Sequence, residues 1–178
     1  MTTEPPSHTT SPSSRSRYRS MDNFFLFQPK KSIVQAILER EKTSSLSYKP
    51  VGATDKGPLD GWDWHSESVV IGSGPEMWSR AILALQNWSQ FDMSWVFPYD
   101  RSVPLEVGQH FAFVSRQIGV WCVNVCRVVY TVADQIGETQ RFGFAYGTLA
   151  SHAVRGEELF LLEWDHETDE IRFSIRKF

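Results

Sequence analysis

Apolar residues recur at two periods along this chain, and the change of period divides it into helices and strands. Over residues 30–42 (KKSIVQAILEREK), Ile33 pairs with Ile37 and Val34 with Leu38 at i,i+4, the spacing of one helical face. Pro29 lies just before this helix, where it suits an N-terminus. Residues 43–61 carry Ser, Pro and Gly punctuation and are predicted as loop, with a short extended piece at 47–53. Residues 62–72 (WDWHSESVVIG) alternate imperfectly as a strand. Trp62, Trp64, Ser66 and Ser68 share one face, and His65, Glu67 and Val69 the other.

Residues 75–90 give the clearest helical pattern. Met77, Trp78, Ala81, Ile82, Leu85 and Trp88 form one apolar stripe that must face a core. Ser73 and Glu76 have the S-x-x-E spacing of a capping box, and Pro75 suits the first turn. Phe91, Met93, Trp95 and Phe97 then alternate, which predicts a strand up to Pro98.

Residues 109–115 and 119–132 read as two further strands. In the second, Val120, Cys122, Asn124, Cys126, Val128 and Tyr130 share a face, and the opposite face is also largely apolar. A strand apolar on both sides is central in its sheet or curved around a cavity. Residues 140–150 and 157–165 add two strands, 165–169 a turn, and 170–178 a last strand. Gly143 and Gly147 interrupt the first of these, marking either bulges or a close backbone approach. Helix, strand, helix and then a run of strands is the order of an α+β protein. It predicts a curved antiparallel β-sheet packed with helices.

Composition narrows the picture. With 178 residues and 41% hydrophobic content, there is material for a core. A formal net charge of −3 disfavours a nucleic-acid partner, and makes the seven tryptophans core residues rather than a stacking platform. No run approaches the ~18 apolar residues of a membrane span. Residues 1–20 differ from the rest: rich in Ser, Thr and Pro, with Arg15, Arg17 and Arg19 against Glu4, they read as a disordered tail ahead of one domain at 21–178. Cys122 and Cys126 are four apart, about 13 Å along a strand, so they are read as free buried thiols in a reducing cytoplasm.

Candidate chemistry is concentrated between Asn124 and Glu158. Arg127 interrupts an apolar strand, which is costly unless it pairs with a carboxylate or meets an anionic ligand group. Asn124, Tyr146 and Thr148 can offer neutral hydrogen bonds to the same ligand. His152 near Glu157 and Glu158 suggests acid–base chemistry, against the plainer reading of a loop histidine bonded to backbone. The five histidines show no metal-ligand spacing, and no cofactor motif is present: Gly72-Ser73-Gly74-Pro75 lacks the glycine pattern of a dinucleotide site and the lysine of a P-loop. Ser151-His152 lacks the nucleophile-elbow pattern.

These motifs carry a resemblance. N-x-C-R-V-V-Y at 124–130, R-F-G-F-A-Y-G-T-L at 141–149, His152 and G-E-E-x-F at 156–160 resemble the uncharacterised domain-of-unknown-function family 1990 (UPF 0548). Upstream, Y-x-x-V-G-A-T at 48–54, V-I-G-S-G at 70–74 and Ala81, Ala84, Leu85 and Trp88 are similar in the same order, so the resemblance covers roughly residues 28–178. It implies no catalytic residues, because the family has no assigned activity. It implies a START-like helix-grip fold, in which a curved sheet wraps a long C-terminal helix around an apolar cavity. The family pattern continues past the position of Phe178 with a Ser-Pro segment and a C-terminal helix. The chain at hand stops at Phe178, so against this pattern it is either truncated or lacks the helix that would close the cavity, and both alternatives argue against a well-formed pocket and for an open apolar sheet face.

By fold analogy, the leading expectation is a module that binds a small apolar or amphipathic ligand through Asn124, Arg127, Tyr146, Thr148, His152 and Glu157. The alternatives are a small-molecule enzyme using His152, Glu157 and Arg127 in acid–base chemistry, and a protein-interaction module presenting an exposed sheet. Oligomeric state is left open.

Overall fold

The computed structural model describes residues 23–178, so the expected tail at 1–20 lies outside the described residues. In chain order the elements are β1 (Phe24–Phe25), α1 (Lys31–Glu41), β2 (His65–Ser73), α2 (Gly74–Gln86), a 3₁₀ turn (Ser89–Phe91), β3 (Val96–Pro98), β4 (His110–Gln117), β5 (Val120–Ile136), β6 (Thr139–Thr148), β7 (Glu157–Asp165) and β8 (Glu170–Lys177). All eight strands form one antiparallel sheet of order β2-β8-β7-β6-β5-β4-β3, with β1 added to β5. The architecture is α+β, a curved antiparallel sheet gripped by helices.

β5 organises the sheet. At 17 residues it is long enough to pair with β4 over Val120–Arg127 and with β6 from Cys126 onward. β1 takes the edge that β6 leaves open, pairing Phe24 with Cys122 and Phe25 with Trp121. Curvature comes from register shifts, one in β5 between Val128 and Tyr130 and one in β2 between Val70 and Gly72.

The helices lie on opposite faces of the sheet, as strand alternation requires. Val34, Ile37 and Leu38 of α1 pack on Ala112, Val114, Val123 and Val125. Trp78, Ala81 and Leu85 of α2 pack with Phe111, Cys126, Phe144, Leu162 and Ile171, whose side chains point the other way.

The elements depart from the sequence reading in four places. α2 stops at Gln86 because Trp88 adopts φ 60°, a left-handed conformation that ends the helix and starts the 3₁₀ turn. The 1% exposure of Trp88 and its indole hydrogen bond to the Val103 carbonyl at 2.9 Å hold it there. Of the strand expected up to Pro98, only Val96–Pro98 forms, since Phe91 belongs to that turn. The capping box is not made: Ser73 gives no side-chain cap, and the Gly74 amide donates instead to Asp169 of the β7–β8 turn at 3.1 Å. β2 begins at His65, leaving Trp62 outside it to stack edge-on against Tyr48 and Phe178.

A fifth difference bears on the site. The bulge after Val128 reverses which face of β5 each side chain takes. Tyr130 and Val132 therefore pack with Ala145, Leu159 and Leu161, not with Cys126 and Val128.

Candidate functional site

α2 and the 3₁₀ turn cover only part of their face of the sheet. Next to them is a cleft of about 790 Å³. Its walls are aromatic: Phe91 stacks on Phe113 at 5.1 Å and meets Phe160 edge-on at 5.7 Å. Its rim carries large apolar side chains left in solvent, among them Phe24, Trp95, Val154 and the fully exposed Ile118.

Polar groups are set into this apolar lining. Asn124 is 3% exposed; its amide donates to Ser115 Oγ at 2.9 Å, and its Oδ1 accepts the Cys122 thiol at 3.5 Å. Ser115 and Asn124 meet because β4 and β5 pair with Ser115 opposite Cys122 and Phe113 opposite Asn124. Glu158 lines the cleft and accepts the hydroxyl of Tyr146, its cross-strand partner on β6. Lys177 faces Glu158 from β8 and also lines the cleft. His152 lies edge-on to Phe113 at 5.9 Å, with the Val154 amide donating to its Nδ1 at 3.1 Å.

Burial sets the electrostatics. It pushes the Glu158 carboxyl above the usual carboxylate range, opposed by the Tyr146 hydrogen bond and the positive charge of Lys177. Burial and the neighbouring Glu158 raise the Tyr146 hydroxyl well above the ordinary tyrosine value. Burial lifts the Cys122 thiol to about 11 and raises Cys126 well above the ordinary thiol value, so both thiols, which are free, stay protonated and inert. Among the described residues, no group of three His, Cys, Asp or Glu is placed to hold a metal ion.

The structure divides the six candidate residues into two groups. Asn124 and His152 line the cleft, and Tyr146 stands behind Glu158. Thr148 is consumed internally, bonded to Ser47 Oγ at 2.6 Å and to both polar backbone atoms of Gly156. Glu157 is 2% exposed and points to the opposite face. Its carboxylate accepts the Tyr48 hydroxyl and the Gly52 amide at 2.7 Å each, the Thr54 amide at 3.0 Å and the Thr54 hydroxyl at 2.5 Å. Arg127 lies between His110 on β4 and Gly147 on β6, partly exposed, and forms no ion pair among the described residues. Arg141 pairs with Asp134 and Asp55, not with Glu157 or Glu158. His152, Glu157 and Arg127 therefore do not converge on the cleft.

Glu158, Ser115, Lys177, Gln90 and Gln117 are polar cleft residues that the sequence reading left out of its site. The signal for Glu158 was its parity with Phe160 and Leu162, both on the cleft face, whereas Glu157 has the parity of Leu159 and Leu161. Gln90 gave no signal, since only the turn after α2 aims it inward.

The fold and its cleft define the class: an α+β domain with an aromatic-walled cleft. Residues 47–178 match the family model described as Domain of unknown function (DUF1990), and the chain belongs to that family. It is 35% identical over 109 residues to a UPF0548 protein of Dictyostelium discoideum, an alignment covering 61% of this chain and 50% of that protein. It is 33% identical to a UPF0548 protein of Arabidopsis thaliana (76% of this chain, 66% of the relative) and 34% identical to one of Deinococcus radiodurans (80% and 75%). The chain thus spans half to three quarters of the length of these relatives. A crystal structure of hypothetical protein jhp0584 from Helicobacter pylori is similar at a TM-score of 0.44 and 12% identity, covering 76% of this chain and 79% of that one. No helix among the described residues is long and apolar enough to cross a membrane.

Proposed function

We propose that this chain is a binding module for a small apolar or amphipathic molecule, held in the cleft between the 3₁₀ turn and the sheet. The observation that carries the reading is the combination of an aromatic-walled cleft of about 790 Å³ with a few buried, oriented polar groups. That is the usual composition of a small-molecule site: apolar walls supply affinity and a few polar atoms supply orientation. Asn124, Tyr146 and His152 remain in the proposed ligand set, joined by Glu158 and Ser115. Thr148 and Glu157 support it by fixing the strands. The two protonated, buried thiols suit a reducing cytoplasm.

Native mass spectrometry of the purified protein, with solvent extraction of anything retained, tests this. A retained small molecule of defined mass is the expected result. A bare protein whose melting point does not respond to any apolar or amphipathic probe would overturn the reading.

One observation favours a second reading. A carboxyl raised by burial and held by a tyrosine in a cleft is placed for proton transfer. If Glu158 acts in this way on the retained molecule, Glu158→Gln should bind it but leave it unconverted. Equal conversion by both proteins would exclude this role.

A further inference from the structure

Beside the cleft is a second pocket of about 340 Å³, an open groove between α2 and the sheet with Arg80 and Ala84 exposed at its edge. Ile71, Met77, Ala81, Leu85, Leu162 and Phe173 line it. The cleft and the groove adjoin along the same strands: on β7, Phe160 faces the cleft and Leu162 the groove, while on β8 these places belong to Ile175 and Phe173. Gln90 lines both.

The side-chain amide of Gln90 is unusual. Its Nε2 and its Oε1 are both buried, and neither has a hydrogen-bond partner. Polar atoms left buried and unpaired in this way destabilise the unliganded protein. A Leu or Met of similar size in the same place would avoid that cost. The backbone that aims Gln90 inward is itself strained. Trp88, two residues earlier, is a bulky residue at φ 60°, a conformation that persists only where surrounding packing imposes it and that clusters at ligand clamps.

Resting on the ligand-binding reading above, we infer that Gln90 is a recognition residue at the junction of the cleft and the groove. It pairs with a ligand group that both accepts and donates a hydrogen bond, as a neutral amide or protonated carboxyl does, while the ligand's hydrocarbon chain lies in the apolar groove alongside α2. The ligand class is therefore a chain amphiphile with a neutral donor–acceptor head. An amide against an amide satisfies both orphaned atoms at once, whereas an ester can satisfy only the donor.

The test uses the full chain, with decanamide and methyl decanoate competing against a bound fluorescent anilinonaphthalene sulfonate. The wild type should bind decanamide about tenfold more tightly than the ester. Gln90→Met should erase that difference and also raise the melting point of the unliganded protein, because an unpaired amide has been replaced by an apolar chain of similar length. Gln90→Leu serves as a second variant if Met packs poorly. Equal affinity of the wild type for the two probes would overturn the inference while leaving the ligand-binding reading standing. So would a preference that survives in both variants, or a fall in melting point in both, which would mark Gln90 as a packing residue. Failure of both probes to bind at all would overturn both readings.

Discussion

The Glu157 carboxylate accepts the Tyr48 hydroxyl at 2.7 Å across 109 residues of sequence, tying the loop after α1 to the first residue of β7. With the Gly52 and Thr54 amides and the Thr54 hydroxyl also donating, the buried Glu157 carboxyl group is held by neutral hydrogen-bond donors rather than by a cation. The Thr54 hydroxyl also bonds the Tyr130 hydroxyl at 2.6 Å, which extends the network to the bulged part of β5.

Glu157→Ala would leave these donors buried and unpaired. The expected loss is about 3 kcal/mol or more, a fall in melting point on the order of 10 °C for a chain of this size. Glu157→Gln should also destabilise, because its amide NH₂ would meet N–H or O–H donors. The neighbouring Glu158→Gln should be tolerated, since Gln can still accept the Tyr146 hydroxyl. Thermal melts of the three variants check this; similar melting points for Glu157→Gln and Glu158→Gln would contradict the assignment of faces.

Glu158 also predicts a pH dependence. Its folded pKa is raised, so between its unfolded value and that raised value the folded state binds more protons than the unfolded one. Its contribution to stability is present below the unfolded value and lost as pH rises through the folded one. Glu158→Gln lacks that loss. The melting-point difference, variant minus wild type, should increase as pH rises from about 4.5 and then level off. A difference that is flat with pH would show that Glu158 is not perturbed.

Gly147 and Gly143 are needed for close approach. A Cβ on Gly147 would lie 2.3 Å from Tyr48 Oη, and one on Gly143 would lie 2.3 Å from the Phe160 carbonyl oxygen. Tyr48 can move, at the expense of its bond to Glu157; the β7 backbone cannot move without breaking the β6–β7 ladder. Gly143→Ala should therefore yield little folded protein, while Gly147→Ala folds with reduced stability. Yield and circular dichroism of the two variants would show the order.

Ile118 occupies the tip of the β4–β5 hairpin at φ 50°, with its side chain wholly exposed. A β-branched residue in that conformation is strained, whereas Asn adopts it readily. Ile118→Asn should stabilise the protein by about 1 kcal/mol and weaken anilinonaphthalene sulfonate binding at the cleft mouth. A lower denaturation midpoint would show that the isoleucine packs against something in solution.

Much of this protein was determined by local sequence alone. Periodicity placed α1, β7 and β8, and the order of elements set the class as α+β, because burial of an apolar stripe or an alternating face depends only on neighbours along the chain. The two buried free thiols and the central position of β5 followed from the same alternation. What the chain cannot carry locally is which residues meet across the sheet. One extra residue in β5 moved Tyr130 to the other face, the parity of β7 sent Glu157 to a structural network and Glu158 to the cleft, and the left-handed Trp88 ended α2 early and turned Gln90 inward. Each of these was decided by strand register or by packing between segments distant in sequence. A single-residue shift in register exchanges the faces of a strand, so the tertiary structure alone decided which polar residues became the site.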